Sequence, residues 1–244
     1  MVTPTDGDVI ERILLEPDEW VETKRPERHG LGFFVKSLAD GVDGGIRATL
    51  SRQPAGFVNP AHFHDSNQFQ VVLEGSVKFP THNMIAPAVH YSDHGAPYGP
   101  FVVGPDFKMA IIRTRRAKQI YMSDREGRKQ RNPSGREIFG QANDVEWEPA
   151  ADQPIGAEVK TLFAPAAATG PSAELFRFPA GAEIRSKAAP HGQYHVVLDG
   201  SILLDGTEFA SYSMRYSAGE SAPRTLMAGS GGATVIVLTF DSRK

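Results

Sequence analysis

Two histidines separated by a single residue are the strongest chemical signal in the chain. His62 and His64 lie in the segment GFVNPAHFHDSNQFQVVLEG, and Gln68 follows shortly after them. Residues i and i+2 of a β-strand project from the same face, so both imidazoles can bind one metal ion. Gln68 can reach that ion with its amide oxygen. Because a neutral amide leaves the charge of the ion uncompensated, such a centre favours an anionic, bidentate substrate.

Further polar side chains follow this segment. Gln70 shares the strand face of Gln68 and is a candidate catalytic residue. Tyr98 has two interpretations. Beside a metal ion the pKa of its phenol would fall from about 10, and it would ligate the metal or act as a general acid or base. Away from a metal ion it is an aromatic side chain that lines the lumen of the barrel, with its hydroxyl hydrogen-bonded. His90 and His94 are competing candidates for a third nitrogen ligand.

The chain repeats its own sequence. QFQVVLEGSV at 68–77 returns as QYHVVLDGSI at 193–202, and Trp20 has a counterpart in Trp147. Self-similarity over this length indicates a tandem duplication. In both copies short segments rich in Val, Ile, Leu, Phe and Tyr alternate with Gly, Pro, Asp and Asn turns. This pattern predicts an all-β fold, a sandwich or a barrel, in each half.

The two copies differ at the chemical positions. Lys187 and Ala189 stand where the first copy has its two histidines, and Arg224 matches the tyrosine. Cationic side chains repel a metal ion, so this copy is predicted to have lost metal binding. It is either kept for packing and dimerisation or forms an anion-binding pocket from Lys187, Arg224 and His195. The predicted domains are an N-terminal barrel with the metal site at 1–135 and a metal-free C-terminal barrel at 136–244.

The spacing of the residues in 56–75 carries a family resemblance. The segment resembles the first motif of the cupin barrels, which is Gly, five residues, His-x-His, three or four residues, Glu, six residues and Gly. It differs from that motif at Gln68, which stands in place of the Glu. The segment DHGAPY at 93–98 resembles the second cupin motif, with Tyr98 in place of the last metal-binding histidine. The resemblance and the duplication imply two tandem cupin barrels of the jelly-roll, or double-stranded β-helix, type.

The same resemblance implies a range of reactions. Cupins of this kind include dioxygenases, isomerases, decarboxylases and lyases. We therefore expect a metal-dependent enzyme with one divalent ion (Fe, Zn, Ni or Mn), acting on a small anionic or enolisable substrate, with a non-haem dioxygenase favoured. The alternatives are a non-catalytic barrel that binds a small ligand and a Zn-dependent isomerase, hydrolase or lyase. Phe57, Phe69 and Phe101 are candidates to line a pocket for an aromatic or medium-sized organic substrate.

Charge and hydrophobicity do not favour a nucleic-acid or a membrane partner. The 244 residues carry 26 Lys and Arg against 29 Asp and Glu, which does not favour a nucleic-acid partner. The apolar run ATVIVL is much shorter than the roughly 20 residues of a membrane helix. We expect a cytoplasmic protein without a membrane partner, and a homodimer by analogy with other cupins. The basic run at 113–137 is a solvated connection, an interface or a rim that attracts anions.

Overall fold

The computed structural model describes residues 11–14, 20–24, 32–40, 45–165, 170–185, 189–219 and 225–241. Strands dominate these ranges, so the predicted all-β class is confirmed. Two short 3-10 helices, Gly127–Gln130 and Ala142–Asp144, are the helical segments of the described residues. None of the described helices has the length and apolarity needed to cross a membrane.

The strands, in chain order, are β1 Glu11–Leu14, β2 Val21–Lys24, β3 Gly32–Asp40, β4 Arg47–Arg52, β5 Val58–Asn59, β6 His62–His64, β7 Gln68–Glu74, β8 Ser76–Lys78, β9 Asn83–Ile85, β10 Ala88–Ser92, β11 Phe101–Val103, β12 Lys108–Arg113, β13 Gln119–Tyr121, β14 Glu137–Gln141, β15 Glu148–Pro149, β16 Glu158–Phe163, β17 Ser172–Phe178, β18 Glu183–Arg185, β19 Gln193–Leu204, β20 Thr207–Ala210, β21 Met214–Ser217 and β22 Thr225–Thr239.

The N-terminal unit is built from two principal antiparallel sheets. The larger has the order β14-β10-β7-β12-β4-β3-β2, and the smaller has the order β5-β11-β8-β9. One apolar cluster joins side chains of the larger sheet, such as Val72 and Met109, to side chains of the smaller sheet, such as Val77 and Phe101. Sheets packed face to face over such a core are typical of a jelly roll.

The C-terminal unit has one continuous sheet of order β1-β21-β19-β22-β17-β16-β15, with β18 and β20 paired to its long strands. Strands β19 and β22 extend over 12 and 15 residues. Their pairing shifts register twice, and such irregularities bend the strands locally. Its core is a separate cluster that includes Phe176, Val197, Ile202 and Leu226.

The boundaries of the units follow strand pairing and differ from the predicted 1–135 and 136–244. Residues 16–144 form one compact unit, whereas 145–242 and the N-terminal segment form the other. Strand β14 pairs with β10, which keeps residues 137–141 in the N-terminal unit. Strand β1 pairs with β21, which places residues 11–14 with the C-terminal unit. These pairings join segments that are distant in sequence, so sequence similarity between the copies does not reveal them.

The duplicated tryptophans have the same surroundings in both units. Lys36 Nζ lies 4.7 Å from the ring centroid of Trp20, and the Arg52 guanidinium lies 5.4 Å from it. Around Trp147, Lys160 Nζ lies 5.0 Å and the Arg177 guanidinium 4.6 Å from the ring centroid. Each indole therefore has a lysine and an arginine in cation–π range.

Alanine at Gly75 tests why this position of the motif is a glycine. Gly75 has φ +69°, and an added Cβ would lie 2.3 Å from the carbonyl oxygen of Pro105. We expect Gly75→Ala to lower the free energy of unfolding by about 3 kcal/mol or more, measured by urea denaturation. Gly56→Ala is the matched control, because Gly56 has φ +78° and no atom within 4 Å of an added Cβ. It should cost about 1–2 kcal/mol. Equal losses in the two variants would contradict the steric explanation.

Candidate functional site

The two histidines of the motif occupy the short strand β6. His62 is 3% and His64 is 4% exposed, and their ring centroids are 5.2 Å apart. Strand β13 pairs with β6 and places Gln119 opposite His64 and Tyr121 opposite His62. On the other side the backbones of His62 and Tyr98 exchange two hydrogen bonds, of 3.1 and 2.9 Å. This pairing brings the Tyr98 ring to 4.5 Å from the His62 ring.

Backbone carbonyls fix the tautomer of both imidazoles. His62 Nδ1 lies 2.6 Å from the carbonyl oxygen of Pro60, and His64 Nδ1 lies 3.0 Å from that of Lys118. A carbonyl oxygen only accepts, so Nδ1 carries the proton in each ring and donates it. Nε2 then keeps its lone pair, which is the arrangement of a metal-binding histidine.

Gln68 forms the centre of a polar row behind these rings. The residue is completely buried. Its amide Nε2 donates to the Tyr98 hydroxyl at 2.6 Å, and its Oε1 accepts from Arg113 Nε at 3.0 Å. The other end of the same guanidinium, Nη2, donates to His64 Nε2 at 3.0 Å. Arg113 therefore joins the second histidine of the motif to Gln68.

Strand register explains why Arg113 lies here. Arg113 of β12 is directly opposite Gln68 of β7 and directly opposite Arg47 of β4. Opposite residues of antiparallel strands project from the same face of the sheet. Alternation then directs Gln70, Ile111 and the two arginines to one side, which is the interior of the barrel.

That interior holds a cavity of about 400 Å³. Its positive charge comes from Arg47, Arg113 and Arg116, and no acidic residue is among the described residues that line it. Apolar side chains supply another part of the wall: Phe33, Val35, Phe101, Met109 and Ile111. A pocket with convergent polar groups on an apolar wall is the usual form of a site for a small organic molecule.

The predicted metal ligands fit a divalent ion as a weak, neutral set. The 5.2 Å between the imidazole centroids is short enough for one ion to reach both Nε2 atoms. Gln68 offers an oxygen but no charge. Within the described part of the chain no three His, Cys, Asp or Glu side chains come together to strengthen the set. An ion would also have to displace Arg113 from His64 Nε2 and Gln68 Oε1.

The two predicted catalytic residues have different surroundings. Gln70 lines the cavity, and its Oε1 accepts from His90 Nδ1 at 2.7 Å. Tyr98 is 3% exposed and belongs to the apolar core, with its hydroxyl hydrogen-bonded by Gln68. The hydroxyl is hydrogen-bonded as the second interpretation of Tyr98 expects, but Tyr98 is not among the residues that line the cavity. The catalytic role of both residues stays a prediction.

The competing histidines are separated by the fold. His90 is completely buried, with its ring 5.0 Å from that of Tyr98 and its Nε2 3.2 Å from Glu137 Oε1. Burial lowers the pKa of His90, although Glu137 opposes the shift. His94 lies in the turn after β10 and is not among the residues that line the cavity. Its backbone N–H donates to Asn67 Oδ1 at 2.7 Å.

The phenylalanines predicted for the pocket are divided among different environments. Phe101 lines the cavity. Phe57 lies in the apolar core, edge-on to Phe33 at 5.6 Å. Phe69 projects from the opposite face of β7 to Gln68 and packs 4.9 Å from Tyr91.

The C-terminal unit has a different interior. Lys187 and Arg224, predicted for an anion pocket, lie outside the described residues. His195 lines a cavity of only about 20 Å³ together with Gln193, which is room for about one water molecule. Arg215 stands opposite His195 on β21 and is 1% exposed.

Sequence reasoning missed the arginines of the first cavity. Arg113 and Arg116 belong to the basic run, whose alternatives included a rim that attracts anions. The alternation of Met109, Ile111 and Arg113 indicates that these three side chains share one face of β12, and it could have been recognised in the sequence. The register that sets Arg113 beside Gln68 and Arg47 depends on long-range strand pairing, so the sequence alone does not predict it.

His195→Gln tests the pH dependence that burial creates. Burial, and then the charge of Arg215, lowers the pKa of His195 from 6.5 to about 3. Below pH 6.5 the unfolded chain binds this proton in preference to the folded chain, so stability falls as the pH is lowered toward 3. At pH 5 this loss is about 2 kcal/mol. We expect the free energy of unfolding, measured by urea denaturation, to fall between pH 7 and pH 5 by about 2 kcal/mol less in His195→Gln than in the wild type.

His191→Gln is the control and should show the same fall as the wild type. An equal fall in His195→Gln and the wild type would contradict the lowered pKa of His195.

Solved structures of other proteins resemble the whole chain. A candidate dioxygenase from Nostoc punctiforme is 14% identical with a TM-score of 0.63, and the match covers 97% of this chain and 81% of that one. An oxalate decarboxylase variant from Bacillus subtilis is 9% identical with a TM-score of 0.66, and the match covers 96% of this chain and 78% of that one. Quercetin 2,3-dioxygenase from Acinetobacter baumannii is 13% identical with a TM-score of 0.55, and the match covers 98% of this chain and 81% of that one.

No protein-family model matches the chain, and no curated protein matches its sequence. The structural likeness establishes the fold, and it agrees with the duplicated motif and with the two jelly-roll units. The chain therefore has the fold of these structures, with two jelly-roll barrels in one polypeptide.

Proposed function

We propose that the N-terminal barrel is the working site of a metal-dependent enzyme that acts on a small organic anion. One observation carries the proposal. The imidazoles of His62 and His64 line the cavity, and because carbonyl oxygens hold Nδ1 of each ring, Nε2 is the atom left to bind a metal. Among the described residues that line this cavity, the charged side chains are arginines. Such a site combines a place for a cation with an attraction for an anion.

The charge of the cavity supports an anionic substrate. Arg47 and Arg113 stand directly opposite each other on neighbouring strands. Like charges in this position destabilise a sheet, and a bound carboxylate relieves their repulsion. Guanidinium groups bind carboxylates through two parallel hydrogen bonds, which also orients the ligand. Phe101 and Met109 offer the apolar contact that the rest of an organic substrate needs.

His62, His64 and Gln68 would hold the metal ion. A divalent ion bound there would supply Lewis-acid chemistry, or redox chemistry if it were iron. The side chains of the protein have the other tasks. The arginines hold the carboxylate, Gln70 faces the substrate with an amide that His90 orients, and the buried rings around Tyr98 exclude water from one side.

A dioxygenase is the reaction that we place first. Of the three structural neighbours described above, two are named as dioxygenases and one as an oxalate decarboxylase. Proteins with this fold thus include dioxygenases and an enzyme named for an acidic substrate, which supports our choice of both. A zinc ion in the same site would instead favour an isomerase, hydrolase or lyase, because zinc has no redox chemistry. The homodimer and the cytoplasmic location stay predictions.

Elemental analysis tests the metal half of the proposal. We expect untagged protein purified without chelator to contain one divalent ion per chain, and the double variant His62→Ala, His64→Ala to contain none, because both nitrogen ligands are removed. His94→Ala is the matched control and should keep the metal, since His94 is not among the residues that line the cavity. Equal metal contents in the wild type and the double variant would contradict the site, and the element found would select the reaction class.

A second candidate is a metal-free barrel that binds a small anionic ligand without catalysis. The contacts of Arg113 with His64 Nε2 and Gln68 Oε1 favour it, because the guanidinium already satisfies two of the proposed metal ligands. Wild-type protein that stays free of metal when iron, zinc, nickel or manganese is supplied, yet binds a carboxylate, would select this candidate.

Calorimetric titration with benzoate tests the anion half, which both candidates share. Benzoate combines a carboxylate with an aromatic ring. Arg47→Gln should weaken its binding about tenfold, which corresponds to about 1.4 kcal/mol, because one charge-assisted partner is lost. Arg185→Gln is the control, since this arginine lines the small cavity of the other barrel. Equal weakening by the two variants, or none by Arg47→Gln, would contradict the site.

A further inference from the structure

One side chain of the N-terminal barrel contacts two of the three predicted metal ligands. Arg113 donates from Nη2 to His64 Nε2 and from Nε to Gln68 Oε1, both at 3.0 Å. Both acceptors are buried, and the arginine lies opposite Gln68 in the sheet, so the arrangement is set by the backbone as well as by the side chains.

The two contacts compete with a metal ion for the same atoms. Nε2 of a neutral imidazole has one lone pair, which either accepts a hydrogen bond or binds a metal. The carbonyl oxygen of Gln68 has two lone pairs, but a guanidinium bonded to one of them would place a positive charge beside the ion. Arg113 must therefore leave His64 before that nitrogen can bind a metal.

An organic anion in the cavity is a group that can draw Arg113 away. Arg113 lines the cavity and has Arg47 as its direct cross-strand neighbour there. A carboxylate held between the two arginines offers charge-assisted hydrogen bonds that a neutral imidazole and amide do not match. The long arginine side chain can turn toward it by rotation about its own bonds, without movement of the strand.

We propose that Arg113 is a substrate-operated latch on the metal site: it competes with the metal for His64 and Gln68, and a bound carboxylate draws it away, so that metal and substrate bind with positive cooperativity. The proposal rests on the proposed function, because it requires the metal site and the anion site to be in one barrel. By linkage, the factor by which the carboxylate tightens metal binding must equal the factor by which the metal tightens carboxylate binding.

The test measures metal affinity directly, by titration of zinc against a chromophoric chelator, with and without saturating benzoate. Zinc is the probe because it is redox-silent. In the absence of benzoate, Arg113→Gln should bind zinc at least about tenfold more tightly than the wild type, since the competing hydrogen bonds and the charge are gone. Benzoate should tighten zinc binding of the wild type and change that of Arg113→Gln much less.

Arg116→Gln is the matched control. It removes the same charge from the lining of the same cavity, but Arg116 is an exposed side chain. A latch predicts a smaller gain in zinc affinity for Arg116→Gln than for Arg113→Gln, whereas a general effect of charge predicts equal gains. Arg113→Lys, which keeps the charge but cannot form the planar two-point contact, provides a second variant if the glutamine variant does not fold. It should bind zinc more tightly than the wild type.

The outcomes separate the latch from the metal site. Equal zinc affinities of the wild type and the Arg113 variants, with binding abolished by His62→Ala, His64→Ala, would overturn the latch and keep the metal site. No zinc binding by any variant would overturn both the metal site and the latch. Benzoate that tightens zinc binding equally in the wild type and Arg113→Gln would also overturn the latch, because the coupling would then be independent of Arg113.

Discussion

A row of inward-facing side chains across β4, β12 and β7 governs the chemistry of the N-terminal barrel. Register places Arg47, Arg113 and Gln68 side by side on the inner face of the sheet. The contact of Arg113 with Gln68 ties the cationic wall of the cavity to the position where cupin motifs carry a carboxylate. With a glutamate there, the arginine would form an ion pair and lower the donor strength of the carboxylate. With a neutral amide, the guanidinium keeps its charge available for an anion.

The two barrels place their interior charges in different ways. In the C-terminal unit Arg215 is completely enclosed beside His195, and the described cavity holds about 20 Å³. In the N-terminal unit the arginines line about 400 Å³. Gln193, the counterpart of Gln68, donates to Thr239 at 3.1 Å instead of receiving a bond from an arginine. The duplication thus kept the barrel twice, and the cavity that His195 lines in the second copy is much smaller than the one that Arg113 lines in the first.

Local sequence carried most of the fold and part of the site. The short β-rich segments and the repeated motif predicted an all-β chain of two barrels, because strand alternation and turn residues are local properties. The His-x-His spacing likewise predicted that His62 and His64 share a face, and β6 places them so. The partners of these residues were not predictable, since Arg113 meets Gln68 through a strand pairing across many intervening residues. The assignment of β1 to the C-terminal unit has the same origin.

The cation-flanked tryptophans give each barrel its own optical probe. The chain has two tryptophans in total, and Trp20 and Trp147 lie in different units with a lysine and an arginine near each ring. The emission of an indole responds to nearby charge and to the loss of its contacts. Fluorescence of chains in which one tryptophan is replaced by phenylalanine therefore reports on a single barrel. Comparison of the two single-tryptophan chains would therefore show whether the two units unfold together or one after the other.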